Sequence, residues 1–129
     1  MTLSSIFVHQ LIWVGLGLAY NGASALMIAR GGAALAPTNP AAGAVFVLVV
    51  AAFVAAGVLG WTRVYKLALP GLSLALIAAG VLPHLLAVTG ETGLNGYASP
   101  PAWAAALAIN VYGAGVFGVA TWAAYRRRV

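Results

Sequence analysis

Residues 39–61 read NPAAGAVFVLVVAAFVAAGVLGW, and from Ala41 to Gly60 no side chain carries a polar atom. A bilayer core about 30 Å thick needs roughly 20 mostly apolar residues to cross it as a helix. This stretch meets that length and ends on a tryptophan, a residue suited to the membrane–water boundary. Asn39 can accept from the free N–H groups of a helix start, and Pro40 suits a first helical position, where its missing N–H has no partner to lose. The stretch predicts a transmembrane helix over about 40–61.

Working outward, three more apolar runs predict helices over about 6–29, 67–89 and 101–125. The first ends at Arg30-Gly31, with Gly31 as its C-terminal cap. The third stops at Gly90, and the last starts after Ser99-Pro100-Pro101. The expected fold class is an all-α integral membrane protein, an up-down bundle of four transmembrane helices forming one domain over residues 1–129. Composition agrees: 64% of residues are hydrophobic and 5% charged, against about a quarter charged in soluble domains. The absence of cysteine excludes disulfides and thiol chemistry by this chain. Ala23-Ser24-Ala25 resembles a signal cleavage site, but no Lys or Arg precedes the run and His9-Gln10 interrupts it, so a retained helix is expected.

The charges set an expected orientation. Arg63, Lys66, Arg126, Arg127 and Arg128 fall on one side of the four runs, and Arg30 alone falls on the other. The positive-inside rule then places both termini and a tight basic turn at 62–66 in the cytoplasm, in the inner membrane of a bacterium. Trp61, Tyr65, Trp122 and Tyr125 would form the inner aromatic belt, and Tyr97 and Trp103 the outer one. The net charge of +5 serves this orientation rather than nucleic-acid binding. Arg30 and the only acid, Glu91, are expected to pair at the outer boundary.

Polar side chains in hydrocarbon need a partner or a cavity. At about 1.5 Å per residue, Asn21 and Asn110 lie about 12 Å inside the outer helix ends and His84 about 8 Å, with Tyr20 and Tyr112 at similar levels. These five residues predict a polar layer in the outer half, contributed by three helices. His84 follows Pro83, which frees a carbonyl near Ala79 or Gly80 and can aim the imidazole inward. His84 is thus the candidate cofactor ligand, for haem or a chlorophyll-type pigment, and the layer could also take a quinone. His9 lies about 20 Å away in depth, too far to share one iron, so such a cofactor would need a partner chain. His9 and Gln10 read as an interfacial pair or a contact to a neighbouring chain.

Gly15, Ala19 and Ala23, and likewise Asn110, Ala114 and Gly118, recur at four-residue spacing and suit close helix packing. With no acid inside the membrane, proton-coupled transport is disfavoured, and no nucleophile–base or metal-ligand spacing is visible. The expected function is a non-catalytic accessory or assembly subunit of a larger respiratory or photosynthetic membrane complex. Its expected partners are the lipid bilayer and other membrane subunits or copies of itself. The alternatives are a small homo-oligomeric channel or transporter and a membrane enzyme acting on a lipid-like substrate.

Overall fold

The computed structural model describes residues 3–90 and 93–126. Among the described residues, four helical spans are long and apolar enough to cross a membrane: Ser4–Ala29, Pro40–Val58, Thr62–Thr89 and Pro100–Arg126. The first belongs to α1 (Leu3–Ala29), the second is α2 (Pro40–Val58), and the last is α5 (Pro100–Arg126). The third span combines α3 (Thr62–Ala75), a π-helical segment (Leu76–Val81) and α4 (Leu82–Thr89). The 19 residues of α2 measure about 28 Å at 1.5 Å each, close to one hydrocarbon thickness.

The helix ends follow the local chemistry read from the sequence. Gly31 takes φ +80°, and its N–H and that of Gly32 bond back to the carbonyls of Ile28 and Met27, closing the first helix as a glycine cap does. Asn39 Oδ1 accepts from Ala41 N at 2.9 Å and from Ala42 N at 3.2 Å. Ser99 Oγ does the same for Ala102 N, at 3.2 Å. Asn39→Ala removes an acceptor from two N–H groups and is expected to cost about 0.5–2 kcal/mol. That loss should appear as an earlier midpoint when the protein is titrated with dodecyl sulfate in mixed micelles.

Two boundaries differ from expectation. The second helix ends at Val58 rather than at Trp61, because Gly60 turns the chain at φ +87°. Residues 62–66 are then the first turn of α3, not a loop, and Arg63 and Lys66 project from a helix end. Pro70 lies inside α3 and leaves the Lys66 carbonyl without its i+4 donor; Tyr125 Oη supplies a hydrogen bond to it at 3.0 Å.

Around the bundle, α1 contacts α2 and α5, and α3 contacts α2 and α5. The π-helical segment and α4 lean on α5, while α2 meets neither of them among the described residues. The core formed by Ile6, Val50, Val54, Leu69 and Phe117 is therefore closed on all sides at the level of α3. Beyond α3 the second and third spans separate. The 30–39 and 93–99 segments meet at that same end, where Ala98 N–H donates to Leu35 C=O at 3.3 Å. The Leu35 N–H in turn reaches Ser24 Oγ at 3.0 Å.

Several expected roles change. Tyr65 is buried rather than part of a belt, and its hydroxyl donates to Gln10 Oε1 at 2.9 Å. Gln10 is therefore an interior residue and not an interfacial one. Tyr97 is likewise buried. Gly15, Ala19 and Ala23 face outward on α1, and a Cβ on Gly15 would meet nothing within 4 Å. Close approach happens instead at other glycines, because the buried face of α1 runs through Gln10, Trp13, Gly17 and Ser24. Of the expected Arg30–Glu91 pair, Glu91 lies outside the described residues, as do the cations Arg127 and Arg128.

Candidate functional site

Where α2 leaves the third span, a cavity of about 300 Å³ opens between the helices. Its walls are mostly small or apolar, among them Ala42, Phe46, Ala79, Ala106 and Ile109. Four of the five polar-layer residues singled out in the sequence line it: Tyr20, Asn21, His84 and Asn110. Thr38 and Asn39 contribute its rim at the long-loop end.

Tyr112 belongs elsewhere. Its hydroxyl sits 2.7 Å from His9 Nδ1, deeper along α1 than the cavity, and the rings meet nearly edge-on at 70°. The expected polar layer is thus two clusters. Reading both tyrosines as one level followed from helical rise alone, which ignores where α1 and α5 actually touch.

The two asparagines are held alike. Asn21 Nδ2 donates to Gly17 C=O and Asn110 Nδ2 to Ala106 C=O, each at 2.8 Å and each within its own helix. Each carboxamide then presents its oxygen to a glycine of the neighbouring span. Asn21 Oδ1 lies over Gly43 of α2, and Asn110 Oδ1 over Gly80 of the π-helical segment, where a Cβ would overlap the amide. The sequence expectation that α2 adds no polar side chain holds, but Gly43 adds the notch that admits one.

His84 is buried, and its Nδ1 lies 2.6 Å from Tyr97 Oη. Trp103 Nε1 donates to the His84 carbonyl at 2.7 Å. These two contacts fix the ring from the long-loop end and leave Nε2 without a hydrogen bond among the described residues. Burial pushes the Tyr97 phenol above its usual range, so it remains a neutral O–H at physiological pH. Just before Pro83, the π-helical segment shifts the bonding pattern, with Leu82 N–H reaching Ile77 C=O. That register lets the helix continue past a proline and turns His84 toward the cavity.

Sequence reasoning missed Trp13. Its ring is 2% exposed and lines the cavity floor, and its Nε1 is buried with no hydrogen-bond partner among the described residues. Gln10 Nε2 shares that condition. The signal was present: Gln10, Trp13, Gly17, Asn21 and Ser24 recur every three or four positions, one stripe of a helix. Among the described residues no cluster of three or more His, Cys, Asp or Glu side chains exists that could hold a metal ion. The arrangement can position a neutral ligand through hydrogen bonds in an apolar pocket. Compared with protein-family models, curated proteins and solved structures, the chain matches none of them.

Proposed function

We propose that this chain is a non-catalytic subunit of a larger membrane assembly, holding one lipid-soluble ring of quinone type. In this reading it is an up-and-down bundle in a bacterial inner membrane, with both termini in the cytoplasm. Arg63, Lys66 and Arg126 mark the cytoplasmic end by the positive-inside rule. The cavity then lies in the outer half and opens sideways toward lipid, between α2 and the π-helical segment.

The observation that carries the reading is the gathering of Tyr20, Asn21, His84 and Asn110 around one apolar cavity. Ligand pockets are mostly apolar with a few placed polar groups, and start at about 300 Å³. A 150 Å³ protein cavity accommodates a benzene, so the volume here suits a single substituted ring. A tetrapyrrole needs more wall than this chain offers, which leaves haem or a chlorophyll-type pigment to an interface with partner chains. The packed apolar core around Leu69 and Phe117 weighs against a pore through one chain. Among the described residues no carboxylate lines the cavity and the His84 ring is hydrogen-bonded to Tyr97 rather than to a hydroxyl of the lining, so no nucleophile–base pair forms there, which weighs against catalysis. The exposed small-residue face of α1 offers other membrane subunits, or further copies of the chain, a surface for close approach.

Extraction into lipid nanodiscs without detergent, followed by mass spectrometry of co-purifying chains, tests the assembly. Other membrane chains in fixed ratio are the expected result. A preparation containing this chain alone overturns the subunit reading.

A further inference from the structure

We infer that a recess between α3 and α5, at the basic end of the bundle, holds the phosphodiester headgroup of an anionic phospholipid. The site is separate from the cavity and does not depend on what the cavity binds.

The recess has a volume of about 330 Å³ and is lined by Arg63, Lys66, Leu67, Ala124 and Tyr125. Arg63 and Lys66 stand three positions apart on α3, so their side chains share one face of the helix. Neither head group has a hydrogen bond or an ion pair among the described residues. None of those residues is an acid, and the chain's sole acid, Glu91, follows the opposite end of the same span. Arg126, by contrast, is engaged: its guanidinium lies over the Trp122 ring at 4.5 Å.

The backbone adds to the imbalance. Arg63 lies in the first turn of α3 and Lys66 at the start of the second, at the positive end of the helix dipole, where cations are disfavoured. Trp61 makes no capping hydrogen bond there, and the first turn carries no acidic residue. Two cations set against a helix dipole, with no counter-charge among the described residues, are stabilised by an anion from outside. Guanidinium and ammonium groups form strong charge-assisted hydrogen bonds with phosphate oxygens.

The surroundings indicate a lipid rather than a free phosphate. Trp61 and Trp122 are exposed just before α3 and near the end of α5, and tryptophans of this kind sit at headgroup level. Leu67, next to Lys66 on the apolar side, is 76% exposed. The phosphate then meets Arg63 and Lys66, and the first acyl methylenes lie on Leu67. Tyr125 Oη donates to the Lys66 carbonyl at 3.0 Å, which ties α5 to α3 across the recess. Basic pockets between membrane helices hold anionic headgroups in this way.

The test is native mass spectrometry of the full chain in nanodiscs of equimolar phosphatidylglycerol and phosphatidylcholine with identical acyl chains. One phosphatidylglycerol per chain is expected, at least about tenfold more abundant than bound phosphatidylcholine. Arg63→Gln combined with Lys66→Gln should bring the two lipids near parity, and both positions are exposed, so folding is not at stake. Arg127→Gln combined with Arg128→Gln removes equal charge and should leave the preference intact. Equal retention of the two lipids by the native chain overturns the inference. So does a preference that survives in the first double variant, or one lost equally in both. A bound phospholipid differs in mass from a cavity ligand and should be unaffected by Gly43→Leu, so this inference and the cavity reading fail separately.

Discussion

Trp13→Ala is expected to destabilise the bundle by about 2–4 kcal/mol, the largest stability loss of any single truncation in the interior. The indole is 2% exposed, meets Phe117 edge-on at 5.5 Å and 81°, and lies against the backbone of Gly113. Removing an aromatic ring from a soluble core costs about 3–5 kcal/mol, of which part is the transfer of apolar surface from water. Here the separated helices remain in lipid, so that part falls away and the lost packing remains. Gly113→Ala should act through the same contact from the other side, since its Cβ would overlap the indole. Unfolding in mixed micelles measures both. A Trp13→Ala loss under about 0.5 kcal/mol would mean that the ring does not fill the interior as described.

Gly43→Leu is expected to lower ligand affinity at least about tenfold, a change worth about 1.4 kcal/mol. The new side chain enters at the notch where α2 accepts the Asn21 amide of α1, on the wall of the cavity. It must displace that amide or occupy the space itself, and overpacking of this kind costs about 1–3 kcal/mol. Gly15→Leu is the matching control, because a Cβ there meets nothing within 4 Å. It adds equal bulk on α1 outside the cavity and should leave affinity unchanged. Titration calorimetry of the chain in nanodiscs with a monoprenyl 1,4-benzoquinone compares the two. Equal losses in both variants would place the ligand elsewhere.

Much of this was legible because membrane helices obey few rules. The run from Ala41 to Gly60 marked α2, and Asn39 and Gly31 fixed ends through side-chain acceptance and positive φ. Asn21, His84 and Asn110 stood out because polar groups in hydrocarbon need a reason to be there. Pro83 was legible as a break, Pro70 went unread, and what repairs each was not legible. A π-helical turn answers one, and Tyr125 from another span answers the other. Those depend on neighbours that no local pattern encodes. The same limit explains Tyr65, Tyr97 and Tyr112. An amphipathic ring near a helix end suits a belt, and only tertiary pairing with Gln10 and His84 draws Tyr65 and Tyr97 inward, while pairing with His9 takes Tyr112 away from the expected polar layer. Depth counted along each helix gave the level of a residue, whereas the face it presents came from packing.

The cavity bounded by Asn21, Gly43, Gly80, His84 and Asn110 is expected to hold one small molecule per chain. Native mass spectrometry of the chain ejected directly from membrane vesicles tests this most directly. The expected spectrum shows one bound small molecule on the native chain and on Gly15→Leu, and its loss from Gly43→Leu. A bare native chain, or the same adduct in all three, would contradict the account.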